Sequence, residues 1–132
     1  MPRELSDTEY QRLLGLRTGL RRFLRWSDDQ AAAAGLTPAQ HQLLLAIRGH
    51  EDPQGPTIGE VAAYLLLRHH SAVGLVDRAV KAGLMVRHED GNDRRVVRLR
   101  LTPLGNNLLT LLTAAHIEEL ERLAPRMREM FP

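Results

Sequence analysis

Apolar residues recur at helical spacing in four stretches of the first 82 residues and again after residue 102. The first stretch begins at a capping box made by Ser6 and Glu9, and it can extend to about Ala34 before Gly35 ends it. At 1.5 Å per residue this helix would be roughly 43 Å long, more than a domain of this size needs to cover its own core. Its apolar stripe is Leu13, Leu16, Leu20, Phe23 and Leu24.

Three shorter helices are predicted to follow. Thr37 with Gln40 makes a second capping box, for a helix that ends at Gly49, and the composition of residues 50–56 is typical of a loop. Thr57 and Glu60 make a third capping box before a short helix. A fourth helix spans about residues 69–82 and ends at Gly83. Its buried side is predicted to be Ala72, Leu75, Val76 and Ala79.

The period then changes from 3.6 to 2, which indicates two strands. In residues 84–87, Leu84 and Val86 alternate with Met85 and Arg87, and a similar alternation covers residues 96–101. The sequence Asp-Gly-Asn-Asp at 90–93 predicts a turn between them, and therefore a hairpin. Residues 102–103 begin a last helix, whose leucines run from Leu104 to Leu123 until Pro125 breaks or ends it.

This order predicts a mainly α fold with a small β-hairpin (α+β): a winged helix-turn-helix core flanked by N- and C-terminal dimerisation helices. We expect an N-terminal dimerisation helix in residues 1–35, a DNA-binding lobe in 36–102 and a C-terminal dimerisation helix in 103–132, together one integrated domain. The apolar surface at both ends exceeds what one winged helix can bury, which favours a homodimer. Its predicted contacts are Leu13, Leu16, Leu20, Phe23 and the Leu104 to Leu123 stripe.

Composition narrows the classes of function. The 132 residues contain no cysteine, which excludes disulfides, thiolate metal sites and cysteine nucleophiles. No apolar run approaches the ~20 residues of a membrane span, and no signal peptide opens the chain, so no membrane partner and a cytoplasmic location are expected. The net charge is +2, but residues 68–100 hold eight basic and four acidic residues. The basic excess therefore lies in the predicted DNA-binding lobe.

The start of the fourth helix carries the first set of candidate DNA-binding residues. The N-terminal part of a recognition helix enters the major groove, where Arg can bond both acceptors of a guanine and Ser can reach several base edges. A glycine inside a helix is costly, and close approach of DNA would account for it. The alternative is a solvated charged face with a tolerated glycine. The candidates are Arg68, His69, His70, Ser71, Gly74, Arg78 and Lys81.

The hairpin tip carries the second set, Asp93, Arg94, Arg95 and Arg98. Arginine on a wing can enter the minor groove, where the negative potential attracts it. Arg98 is expected on the exposed strand face. Because Asp93 would repel phosphate, we expect it to hold Arg95, two residues further on. The alternative is an ordinary polar hairpin loop.

Several segments together resemble the MarR family of bacterial transcription regulators. These are Leu-Thr-Pro-Ala-Gln at 36–40, Thr-Ile-Gly-Glu-Val-Ala at 57–62, residues 76–84, and above all Asp93 with Arg95, followed by Leu101-Thr102 and Gly105. The resemblance implies a homodimer through the first and last helices, a recognition helix at about 69–82, a wing at 90–95, and release by a small effector. One departure is Arg68-His69, where the family usually has a Ser-type cap, so a cap that is weaker or that comes from elsewhere is expected.

An effector pocket is predicted where the first helix meets the second, lined by Trp26, His41 and Tyr64, with ordinary core residues as the alternative.

The six histidines lie mostly in different elements, so neither a metal site nor any cofactor is expected, and His116 with Glu119 is interpreted as a surface pair. No phosphate loop or nucleophile motif indicates an enzyme. The rival to a sequence-specific DNA-binding regulator is a winged-helix module that binds a protein partner.

Overall fold

The computed structural model describes residues 3–130 and contains seven elements. Five are helices and two are strands of one antiparallel hairpin. This architecture confirms the predicted mainly α fold with a β-hairpin. The elements are α1 (Asp7–Ala33), α2 (Pro38–Gly49), α3 (Ile58–Leu65), α4 (His69–Lys81), β1 (Met85–Glu89), β2 (Val97–Leu101) and α5 (Pro103–Met130).

The first three helices begin at the predicted capping boxes. In each box the side-chain oxygen of the cap residue accepts from a backbone N–H three residues on, and the side chain there accepts from the backbone N–H of the cap. After α1 and α4 the chain turns at Gly35 and Gly83, whose φ angles of 80° and 75° suit glycine. Short-range hydrogen bonding therefore fixed most of the helix boundaries.

One apolar core joins α2, α3 and α4 to the hairpin and to the first half of α5. Leu43, Leu44, Val61, Val76 and Leu99 are among its fully buried side chains. All four residues predicted for the inner face of α4 are buried, which confirms that prediction. By contrast, Ala31 is the one residue of α1 that is fully buried.

The hairpin is joined by a third extended segment before α3. β1 pairs with β2 so that Val86 lies opposite Arg100. The Leu99 N–H donates to the Pro56 carbonyl oxygen at 2.9 Å, and Thr57 forms an isolated bridge with Arg98. A Cβ on Gly55 would lie 1.9 Å from the Leu99 carbonyl oxygen, and its φ is 91°. This close approach requires glycine.

The predicted alternation at the start of β1 is wrong. Leu84 and Met85 are both buried, whereas Val86 is 46% exposed. The cause is that Leu84 precedes the strand: its carbonyl oxygen accepts from the N–H of Thr102 and lies against Gly105 of α5. Leu84 therefore belongs to the turn between α4 and the hairpin, and its burial does not follow the period of two of the strand.

The prediction that Pro125 breaks or ends the last helix is also wrong. α5 continues through Pro125 to Met130. Proline removes one hydrogen bond, to the carbonyl four residues earlier, but Glu121 and Pro125 are exposed, so water can reach the freed carbonyl group. Across residues 3–130, none of the helices combines the length and apolar character that crossing a membrane needs.

Candidate nucleic-acid interface

The helix-turn-helix consists of α3, a short turn and α4. Leu66, in the turn, adopts a left-handed conformation with φ of 55° and is 92% exposed. Arg68 is the N-cap of α4 and makes no side-chain hydrogen bond to the helix. The first-turn amides of α4 therefore lack the side-chain acceptor that a Ser-type cap supplies, in agreement with the weaker cap expected. Such amides attract anions, because the N-terminal end of a helix carries partial positive charge.

The predicted recognition residues lie on the outer face of α4. Gly74 is half-buried, and a Cβ there would meet the Arg78 guanidinium tip at 3.3 Å, so the chain's own packing does not demand glycine. The rest of the set is exposed and faces away from the core. These residues are Arg68, His69, His70, Ser71, Arg78 and Lys81.

An ion pair connects α4 to the hairpin. The guanidinium of Arg87, on β1, donates to a carboxylate oxygen of Asp77, on the outer part of α4. The negative charge of Asp77 is thereby compensated by Arg87, next to the basic residues Arg78 and Lys81. The recognition helix and the wing are consequently coupled through β1 as well as through the core.

The tip of the wing is a hydrogen-bonded turn that presents two arginines. Asp90 accepts from the backbone N–H groups of Asn92 and Asp93 at 2.9 and 3.0 Å. As the sequence predicts, Asp93 holds Arg95: its carboxylate accepts from the Arg95 backbone N–H, Nε and Nη2 at 3.0 to 3.1 Å. These hydrogen bonds, from the side chain first, lower the pKa of Asp93. Arg94 is exposed, and the side chain of Arg95 is 91% exposed.

The expectation that Arg98 lies on the exposed strand face is wrong. Its side chain is 18% exposed, and its guanidinium turns toward the loop before α3. Nε donates to Asp90 Oδ1 at 2.6 Å, and Nη1 donates to the Gly55 carbonyl oxygen at 2.8 Å. Thr57, 41 residues earlier in the sequence, forms a bridge with Arg98. The Arg98 position of β2 therefore lies between β1 and the extended segment before α3. Arg98 is therefore satisfied within the chain.

The residues predicted for an effector pocket are brought together only in part. The rings of Trp26 and His41 each lie 4.8 Å from the ring of His116, which stands between them. Tyr64 is placed elsewhere: it is 54% exposed, and its hydroxyl lies 2.8 Å from His50 Nδ1. The grouping of Tyr64 with Trp26 and His41 is therefore corrected to Trp26, His41 and His116.

The interpretation of His116 as a surface partner of Glu119 is wrong. In the structure Glu119 pairs with Arg122, and His116 is half-buried with its ring near those of Trp26 and His41. The Leu112 carbonyl oxygen lies 2.6 Å from His116 Nδ1, so Nδ1–H donates, and the Ser27 hydroxyl lies 2.6 Å from Nε2. The spacing from Leu112 to His116, one helical turn from an inward leucine, was the available indication of its direction.

His41 is the buried polar residue of this junction, with 7% of its surface exposed. Burial lowers its pKa from the ordinary value of 6.5, and the neighbouring His116 lowers it further, whereas Asp28 acts in the opposite direction. Neutral imidazole is therefore favoured there. Among residues 3–130 no group of three or more His, Asp or Glu residues is arranged to hold a metal ion.

A groove of about 740 Å³ runs between α1 and α5. Its walls are mainly apolar, with Leu14, Leu20, Phe23 and Leu120 among the lining residues. The outer stripe of both helices is open: Leu13 and Leu20 are 53% and 44% exposed, and Leu111 is 72% exposed. The two terminal helices thus expose apolar area that the lobe does not cover.

Comparison with known proteins shows similarity to one family. The family model described as the MarR family matches residues 34–96, which include α2, the helix-turn-helix and the wing tip. Over this segment, which is just under half of the chain, the protein is similar to the MarR family. Members of this family are transcription regulators and not enzymes.

Three proteins illustrate the similarity. YsmB of Bacillus subtilis (strain 168), an uncharacterized HTH-type transcriptional regulator, is 40% identical over 53 residues, which span 40% of this chain and 36% of YsmB. CouR from Rhodococcus jostii RHA1 bound to p-coumaroyl-CoA is 26% identical with a TM-score of 0.70, over 91% of this chain and 90% of CouR. S. aureus MepR in complex with DNA shares the fold at 19% identity and a TM-score of 0.69, over 83% of this chain and 78% of MepR.

Proposed function

We propose that this chain binds specific duplex DNA sequences as a homodimer and thereby regulates transcription. The observation that carries the proposal is the exposed start of α4, with Arg68, His70 and Ser71, joined through β1 to a wing that exposes Arg94 and Arg95. A helix N-terminus with these side chains suits the major groove, and a rigid arginine tip suits the minor groove. The crystal structure of MepR with DNA, on the same fold, supports this use of the surface.

The roles within the surface differ by location. Arg68, His70 and Ser71 would contribute discrimination between base pairs, because a recognition helix contacts base edges. Arg94 and Arg95 would contribute affinity with little discrimination, because a wing contacts phosphates and responds to groove width. Arg78 and Lys81, further along α4, would contact the DNA backbone.

The proposal is tested by selecting bound sequences from a random duplex pool and measuring the affinity of the selected duplex at several salt concentrations. We expect an enriched motif and an affinity that falls steeply with salt, since phosphate contacts release counterions. The rival function is docking of an acidic protein partner on the same basic face. It predicts no enriched motif, and salt-sensitive binding without sequence preference would favour it.

We further propose that the terminal helices, within residues 1–35 and 103–132, form the dimer and that residues 36–102 act as the DNA-binding lobe. The support is the open groove between α1 and α5 and its exposed apolar stripe. A second copy related by two-fold symmetry would bring these faces together and cover the apolar area.

A small-molecule effector is proposed to bind at the junction of Trp26, His41 and His116. This junction joins a dimerisation helix to α2 of the lobe, so a ligand there could favour one spacing of the two recognition helices. Its mixture of aromatic faces and polar nitrogens suits a partly aromatic ligand. The crystal structure of CouR, which has a similar fold, is of the protein bound to p-coumaroyl-CoA, and this supports an effector for the present chain. Trp26 emission and DNA release should then change over the same ligand concentrations.

A further inference from the structure

The Arg98 guanidinium has several polar partners within the chain. Nε donates to Asp90 Oδ1 at 2.6 Å, and Nη1 donates to the Gly55 carbonyl oxygen at 2.8 Å. The same Nη1 lies 3.7 Å from Asp52 Oδ2 and 3.7 Å from Glu60 Oε1. One guanidinium thus faces three carboxylates and a carbonyl, and arginine has N–H donors on three nitrogens where lysine has a single ammonium group.

The partners of Arg98 belong to three separate parts of the lobe. Asp90 begins the wing turn, Asp52 and Gly55 lie in the loop before α3, and Glu60 is in the first turn of α3. Glu60 also closes the capping box of α3 through Thr57. Arg98 therefore connects the wing tip directly to the start of the helix-turn-helix.

Two further side chains connect the same loop and the wing. The Gly91 backbone N–H donates to Gln54 Oε1 at 2.8 Å. His88 Nε2 lies 2.7 Å from the Gln54 carbonyl oxygen, to which it donates. These hydrogen bonds attach the wing to the loop of residues 50–56.

The lowered pKa values of two carboxyl groups agree with a fixed position of the Arg98 side chain. The hydrogen bond from Arg98 is the main cause that lowers the pKa of Asp90, and the N–H groups of Asn92 and Asp93 add to it. Glu60 also has a lowered pKa, mainly through the hydrogen bond from the backbone of Thr57, with Arg98 a smaller contribution. Both carboxylates are therefore ionised at neutral pH, and Arg98 is held between them.

We propose that Arg98 is a positioning residue for DNA binding: it fixes the angle of the wing against the helix-turn-helix, so that Arg94 and Arg95 are presented to the minor groove, and does not itself contact DNA. The inference rests on the proposed function. A two-stranded hairpin is marginally stable by itself, and a wing that has to be ordered during binding loses affinity. Support from the loop of residues 50–56 removes that cost.

The test is a mutant cycle on the selected duplex, with Arg98→Met, the variant Arg94→Ala/Arg95→Ala and the combination of all three changes. We expect Arg98→Met to weaken binding about tenfold by itself but less than about twofold when Arg94 and Arg95 are already alanine, because these residues act through one wing. Equal losses in both backgrounds would overturn the proposal, since they would indicate a separate DNA contact. Arg100→Met is the matched control for loss of one positive charge on β2, with the same effect in either background.

Asp90→Asn separates positioning from charge and does not depend on tolerance of the Arg98 substitution. Removing a negative charge near DNA should tighten binding if electrostatics alone matter. We expect weaker binding instead, because the hydrogen bond that holds Arg98 is impaired. Tighter binding by Asp90→Asn would contradict the proposal.

Amide hydrogen exchange without DNA distinguishes failure of this inference from failure of the proposed function. In Arg98→Met, exchange at Gly91 and Asn92 should accelerate while the first half of α5 is unchanged. If the native chain binds no DNA but exchange accelerates, the proposed function is wrong and the role of Arg98 in binding falls with it. If DNA binding is normal and wing exchange is unaltered by Arg98→Met, the positioning role alone is wrong.

Discussion

The DNA-binding lobe and the terminal helices are stabilised in different ways. Four residues of the 13-residue α4 are buried, whereas the 27-residue α1 buries one, and the buried residues of α5 all precede residue 113. The lobe adds a polar network around Arg98 to its apolar core. The terminal helices instead expose leucines along a groove. The lobe therefore shares one buried core with the start of α5, whereas the outer parts of α1 and α5 leave apolar side chains exposed.

The largest effect should come from a cavity in the lobe. Leu44→Ala, at a side chain that is 0% exposed, should lower the free energy of unfolding by about 2–5 kcal/mol. The loss should be the same at all protein concentrations, because the cavity lies within one protomer. Urea unfolding measures it. The matched variant Leu111→Ala, at a side chain that is 72% exposed, should lose stability only at concentrations where the dimer forms.

The second effect concerns assembly. Leu20→Glu places a charge in the groove between α1 and α5, twice in a two-fold dimer, and should weaken dimerisation by at least about 30-fold. Sedimentation equilibrium measures the change. Leu66→Glu, at the exposed leucine of the helix-turn-helix, is the control and should leave the dimer intact. Equal weakening by both variants would remove the distinction between the two regions.

The third effect concerns the wing. Arg95→Ala should weaken the selected duplex and random DNA together, by about tenfold, and should reduce the salt slope by about one. Fluorescence anisotropy at several salt concentrations measures both quantities. Ser71→Ala, on the recognition helix, should instead change sequence preference. An altered preference for Arg95→Ala with unchanged binding to random DNA would contradict the wing assignment.

The smallest effect concerns pH. Because the pKa of His41 is lowered in the folded chain, the unfolded chain binds more protons just below the ordinary value of 6.5. Its contribution to stability is therefore complete above pH 6.5 and is lost as the pH falls from there toward the lowered value. His41→Gln should flatten the pH dependence of the unfolding midpoint between pH 7.5 and 5.5. If His41→Gln left this pH dependence unchanged, another titratable group would control the unfolding midpoint in that range.

The sequence predicted well what depends on neighbours in the chain. The capping boxes at Ser6, Thr37 and Thr57 and the turns at Gly35 and Gly83 are decided within a few residues, and all are present. The pairing of Asp93 with Arg95 is of the same kind. Local hydrogen-bonding geometry is sufficient to predict each of them.

The predictions from sequence are wrong where distant segments meet. The strand pattern puts Arg98 on an exposed face, because its partners Asp52 and Glu60 lie about 40 residues earlier in the chain. Helical spacing alone predicts a surface position for His116, because its neighbours Ser27 and His41 come from two other helices. A pattern of polar and apolar residues shows which face is buried but does not show which polar side chain a distant loop will satisfy.

A dimer of this chain that presents two recognition helices to DNA should contact two half-sites of the selected duplex. Base-pair substitution scanning of that duplex measures whether it does. We predict two symmetric clusters of sensitive base pairs, about 10 base pairs apart from centre to centre, each costing about 1–3 kcal/mol per substitution. Sensitivity confined to one cluster would contradict the dimeric arrangement, and uniform affinity for all substituted duplexes would contradict specific DNA binding itself.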